Sequence, residues 1–194
     1  MYELIKIEEI RVKEQVYSFF SVGESRELIV PETYRHDTFL DEFRKMSRKF
    51  PSFYMSDEIN PKKYPQASQH LVPGTRLRIS VTGIKTTSPV RISKCIKYLI
   101  NKGAVFTNVH GLALAFTHCQ ELFQPGFAYY GLDLPEMLPR DSVDMGRGIM
   151  RSGYRHPTVH VPSASHSSFP RSLSHTLNER FGPLARFLEF QIIN

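Results

Sequence analysis

The sequence predicts a single α+β domain spanning residues 1–194, with a mixed β-sheet and several helices, and three observations carry that prediction. Residues 75–82 alternate, Leu77, Ile79 and Val81 falling on one face and Arg76, Arg78, Ser80 and Thr82 on the other, which is the two-residue period of a half-buried strand. Residues 90–102 place Ile92, Cys95, Ile96, Leu99 and Ile100 at helical spacing. Two apolar runs follow at 104–109 and 112–116, separated by His110-Gly111, and read as strands. Residues 75–116 thus have the order strand, helix, strand of a basic β-α-β unit.

Taken from the start, residues 2–20 fit two descriptions. Val12, Val16 and Phe20 recur every four, as in a helix, whereas Leu4 to Ile10 suits a strand; with the helix that follows, 1–58 reads as an N-terminal, mainly helical part. Arg26–Val30 is a short predicted strand stopped by Pro31. A helix is predicted over 38–50, with Thr38 and Asp41 as a capping box and Phe39, Leu40, Phe43, Met46 and Phe50 as its apolar stripe. Prolines and glycine at 51, 61, 65, 73 and 74 make 51–74 a long loop. After the 75–82 strand, Gly83 and the Lys85–Pro89 segment break the chain before the 90–102 helix, which Gly103 is placed to end. The C-terminal third is predicted to be loop-rich, with 124–171 irregular or in short hairpins on account of its Pro and Gly, a brief strand around His160, and a Ser-rich surface loop from Ser163 to Ser174. A helix over 172–181, closed by Gly182, and a last strand from Arg186 to Ile193 complete the chain.

Composition bounds the function. The apolar content of 41% and the 14 Phe and 9 Tyr suffice for a core. No stretch approaches the roughly 18 consecutive apolar residues of a membrane span, and two cysteines, Cys95 and Cys119, cannot build a disulfide framework. The expectation is a soluble, cytoplasmic protein with no membrane association, no metal and no cofactor.

Charge is the most informative property. Between Glu58 and Glu121 there is no acidic residue, while Lys62, Lys63, Arg76, Arg78, Lys85, Arg91, Lys94, Lys97 and Lys102 give that segment +9 against a chain total of +6. A positive field segregated in this way attracts polyanions. The sequence therefore predicts a nucleic-acid-binding protein, with RNA or single-stranded DNA slightly preferred over duplex. Arg76, Arg78, Lys85, Arg91, Lys94 and Lys97 would contact phosphates on a strand–loop–helix surface, with Arg151 and Arg155 in addition. Thr86, Thr87 and Ser88, just before the helix, add hydroxyls where backbone N–H groups favour anions. The twelve acids of residues 1–58 are the available internal counter-charge.

Two alternatives compete. Eight histidines are present, and a histidine base beside a cationic phosphate clamp is the minimum for a metal-free RNA phosphodiesterase; His110 and His156 are its candidates. The other alternative is a protein-interaction subunit docking on an acidic partner or within a larger assembly. His156-Pro157-Thr158 resembles one half of the paired His-x-Ser/Thr signature of the 2H phosphoesterases. The further matches, His166-Ser167-Ser168 and His36-Asp37-Thr38, fall ten residues away and on a predicted helix cap, where that fold does not carry its second copy, so the resemblance is set aside. His156 and His160 cannot share an ion: Pro157 opposes a helix, and an extended chain holds them about 13 Å apart. No phosphate-binding glycine loop, dinucleotide fingerprint or nucleophile elbow occurs.

Overall fold

The computed structural model describes residues 19–49, 53–144, 150–163, 172–177 and 180–193. It is α+β with a mixed sheet. In chain order the elements are β1 (Phe20–Ile29), α1 (Leu40–Lys49), β2 (Tyr54–Met55), β3 (Arg76–Ile84), β4 (Val90–Arg91), α2 (Ile92–Asn101) and α3 (Asn108–His118). They continue with β5 (Phe127–Tyr130), β6 (Arg140–Asp144), β7 (Met150–Val161), β8 (Ser172–Leu177), β9 (Arg180–Phe181) and β10 (Ala185–Ile192). The main sheet runs β1-β3-β10-β5-β7-β8-β2, with β6 paired to the first part of β7. The β10–β5 and β2–β8 pairs are parallel and the rest antiparallel. A separate two-stranded ribbon joins β4 to β9.

The alternation of β3 explains how the sheet comes to be covered on both sides. Leu77, Ile79 and Val81 join Leu188 and Phe190 of β10, Tyr129 of β5 and Val159 of β7 in the larger core, against α1 and α3. On the opposite face Ile84, Phe187 and Tyr130 form a second core with Cys95, Tyr98 and Leu99 of α2 and with Val90 and Phe181 of the ribbon. Each such side chain contributes roughly 1.5–3 kcal/mol through burial. Consequently the predicted polar face of β3 is only partly wet: Arg76 and Arg78 are exposed, whereas Ser80 and Thr82 are buried.

The helix predicted over 90–102 is α2, ended by Lys102 and by Gly103 at φ 71, whose N–H donates to the Ile100 carbonyl while that of Ala104 donates to Leu99. Its buried stripe is Cys95, Tyr98 and Leu99, and Ile100 is exposed instead. The helix predicted over 38–50 is α1. A short 3-10 turn at His36–Thr38 precedes it, and the Thr38 hydroxyl donates to the Arg35 carbonyl rather than capping the helix.

Three expectations are corrected. Residues 108–109 of the first predicted strand and all of 112–116 belong to one helix, α3, and of residues 104–107 only Val105 pairs in a sheet, by a single bridge to Phe190. Residues 108 to 116 of α3 are all buried, so no polar face marks the helical period, and a short all-apolar run looks the same as a buried strand. The segment 124–171 contains β5, β6 and the whole of the longest strand, β7, with β6 and β7 paired antiparallel, so regular strands replace the irregular chain; Pro157 is tolerated within β7. The helix predicted over 172–181 is β8 and β9, the former held by antiparallel pairing with β7, a long-range contact overriding weak local preference. The reading of residues 2–18, and the match at His166, fall outside the described residues.

Among the described residues no helix is long and apolar enough to cross a membrane. Both cysteines are free and buried.

Candidate functional site

The two ends of β3 treat their cations differently. At its start, Arg76 and Arg78 lie on the exposed face beside β1, where Glu27 sits opposite Arg78. Both guanidinium groups reach that one carboxylate, at 3.7 and 3.1 Å. At its end, Lys85 to Pro89 lead into β4 and α2, and Lys85, Arg91, Lys94 and Lys97 are exposed there without an ion pair to any described carboxylate. The seven residue steps from Arg78 to Lys85 span about 23 Å of strand, so the predicted phosphate contacts fall into two separate groups.

The second group borders a cleft of about 400 Å³ lined by Phe19, Thr86, Ser88, Pro89, Val90, Arg91, Lys94 and Arg180. Four segments meet here. The backbone of Lys85 donates to the Phe19 carbonyl, fixing the loop beside β1. The Thr86 hydroxyl accepts from Ser88 N–H at 3.2 Å and shapes the turn. The ribbon pairs Val90 with Phe181 and Arg91 with Arg180. Val90 and Phe181 point into the second core, which obliges the two arginines, one position away on each strand, to point outward together. Arg91 is also the N-cap of α2, where no side chain caps the helix and the first turn contains no acid. Lys94, one turn on, lies with its ammonium 4.9 Å from the centre of the Phe19 ring.

Three cations and two hydroxyls thus surround a cleft with no acidic residue among the described residues of its lining. Like charges directly opposite on paired strands repel, and an anion between Arg91 and Arg180 turns that repulsion into two attractions. Guanidinium forks match phosphate geometry, and the first-turn N–H groups of α2 favour the same charge.

Of the remaining predicted cations, Arg151 sits in β7 opposite Val143, and Arg155 is half-buried opposite Leu177. The Arg155 N–H donates to the Pro139 carbonyl, and its own carbonyl accepts from the Tyr64 hydroxyl. Arg155 does not line the cleft. Arg180, which does, was missed by sequence reasoning because it lies 89 positions from Arg91 in a stretch read as helix.

The candidate catalytic histidines are not in the cleft either. His110, 1% exposed in α3, is the inner end of a stack of three imidazoles. His36 lies over it at 3.5 Å between ring centroids and 11° between planes, and His70 lies over His36 at 4.1 Å and 30°. Phe39 closes the inner end edge-on, and the Tyr34 hydroxyl is 3.4 Å from His110 Nδ1. Burial, then the neighbouring His36, pushes the His110 pKa down to about 3; burial, then His70, pushes that of His36 down to about 4. Stacked rings direct their nitrogens outward rather than at a common point, and among the described residues no group of three His, Cys, Asp or Glu could hold a metal ion. His156, also 1% exposed, meets Phe181 edge-on beneath the ribbon, and burial lowers its pKa to about 4. Both ring nitrogens of His156 and of His36, and Nε2 of His110, are enclosed without a hydrogen-bond partner among the described residues.

No family model, curated protein or solved structure matches the chain.

Proposed function

We propose that the protein binds nucleic acid through its phosphates, and that the cleft between the β4–β9 ribbon and the start of α2 is the principal contact. The observation that carries this reading is the facing pair Arg91 and Arg180, joined by Lys94 in a cleft whose described lining residues include no acid. Lys85 and Lys97 extend the positive surface around it, while Glu27 holds Arg76 and Arg78. The Phe19 ring in the wall favours unpaired over paired bases, since an aromatic face can stack only on a base that has left the duplex. RNA or single-stranded DNA is therefore the preferred ligand class.

Titrating a fluorescent single-stranded oligonucleotide at increasing salt tests the reading. Affinity should fall as salt rises, with a logarithmic slope of roughly 0.7 for each phosphate contacted. Arg91→Gln or Lys94→Gln should weaken binding about ten-fold and reduce that slope by about one contact's worth. Arg78→Gln should leave affinity near that of the unaltered protein, because its guanidinium already has a partner in Glu27. An affinity indifferent to salt, or equal losses from all three substitutions, would sink the proposal.

A further inference from the structure

We propose that the cleft recognises a phosphorylated end of a nucleic acid strand rather than the continuous backbone, an inference that rests on the nucleic-acid reading above. The first support is how the charge is distributed. A protein that follows a backbone spaces its cations along a groove, about one per nucleotide. Here the described cations do not form such a row. Arg76 and Arg78 stand at the far end of β3 and are shared by Glu27, whereas Arg91, Lys94 and Arg180 converge on one cleft. That concentration suits a single, highly charged group.

The second support is charge matching. An internal phosphodiester has one negative charge and two free oxygens. A terminal phosphomonoester is close to doubly charged at neutral pH and offers three acceptor oxygens. Two guanidinium forks, an ammonium and the hydroxyls of Thr86 and Ser88 provide more donors than a diester can use. A diester would also leave most of the mutual repulsion of three cations unneutralised, whereas the dianion removes two thirds of their charge. The third support is size. A cleft of about 400 Å³ lies in the range of sites that enclose one ligand. It can seat a terminal nucleotide with its phosphate between Arg91 and Arg180 and its base toward Phe19.

The test compares one short single-stranded RNA sequence in four forms: with a 5′-phosphate, with a 3′-phosphate, with hydroxyls at both ends, and circularised. Anisotropy titrations at one salt concentration should show at least one phosphorylated form binding about ten-fold tighter than the hydroxyl-ended and circular forms. The form that gains identifies which end is read. Arg91→Gln and Arg180→Gln should abolish the difference, while Arg78→Gln preserves it. Melting checks that those variants are folded, and both should melt at or above the unaltered protein at low salt, because each relieves the cross-strand repulsion. Equal affinity for all four forms overturns the end-recognition proposal and leaves nucleic-acid binding standing. Failure of every form to bind overturns both.

Discussion

At about pH 5 the protein will unfold in far less urea than at about pH 7. His110, His36 and His156 are enclosed as neutral rings, with native pKa values near 3, 4 and 4, while in the unfolded chain each titrates near its ordinary value of about 6.5. Below that value the unfolded state takes up protons that the native state refuses. Stability is therefore complete above the ordinary histidine range and falls as pH drops toward the native values. The slope is about 1.4 kcal/mol per histidine per pH unit, so His110 and His156 alone remove about 3–4 kcal/mol between pH 6.5 and 5. His36 acts in the same direction. Total stabilities of roughly 5–15 kcal/mol make this a large fraction of the whole. Asp133 and Glu189 oppose the trend. Burial raises both pKa values, so the native state gains from protonating them. At Glu42 burial alone would raise the pKa, but hydrogen bonds from His118 at 2.9 Å and Lys45 at 2.5 Å outweigh it and hold the carboxyl low. Its contribution is lost only in stronger acid. Urea midpoints across this pH range are the measurement, and His156→Leu should flatten the dependence by one histidine's share. Identical midpoints at both ends of the range would show that the rings are not held neutral.

Gly131→Ala should cost about 3 kcal/mol or more, at the upper end of overpacking effects. A Cβ at this position would lie 2.4 Å from the Asn108 backbone oxygen and 3.0 Å from its carbonyl carbon. No rotamer change can move a main-chain atom aside, and Asn108 is itself pinned. It holds a left-handed φ of 51, donates its side-chain amide to the Met137 carbonyl, and accepts from Val109 N–H. Relief would require shifting the start of α3 within a core that buries it on every side. Gly182→Ala is the matched control. Nothing lies within 4 Å of its added methyl, and the change should stay within about 0.5 kcal/mol. Thermal or urea melts of the pair settle the matter; near-equal stability would mean that α3 can retreat without loss.

What the sequence disclosed is what local pattern can encode. The alternation of Leu77, Ile79 and Val81 marked β3, and the spacing of Cys95 and Leu99 with a glycine behind them marked α2 and its end. The α+β class followed from those elements, although the strand, helix, strand order read over 75–116 closes with α3 in place of a strand. The same logic failed at α3 because complete burial erases the contrast between faces on which period detection depends. It failed at β8 and β9 because β8 is held by pairing with β7 and β9 by pairing with β4, neither of which leaves a local signature. The site was legible to the same extent. Segregated charge pointed to Arg91 and Lys94, and the hydroxyls before α2 were visible by position. The neutralisation of Arg76 and Arg78 by one glutamate, the arrival of Arg180 opposite Arg91, and the stacking of His36, His70 and His110 all depend on residues far apart in the chain.

The place of β10 in the sheet bears on how the chain comes to fold. This strand inserts between β3 and β5, and it supplies Leu188 and Phe190 to one core and Phe187 to the other. Until Ala185–Ile192 has been synthesised, β3 and β5 have open hydrogen-bonding edges and neither hydrophobic layer can close. Closure of the sheet must then wait for β10, and chains cut before Ala185 should expose the two unpaired edges that chaperones or self-association would claim first.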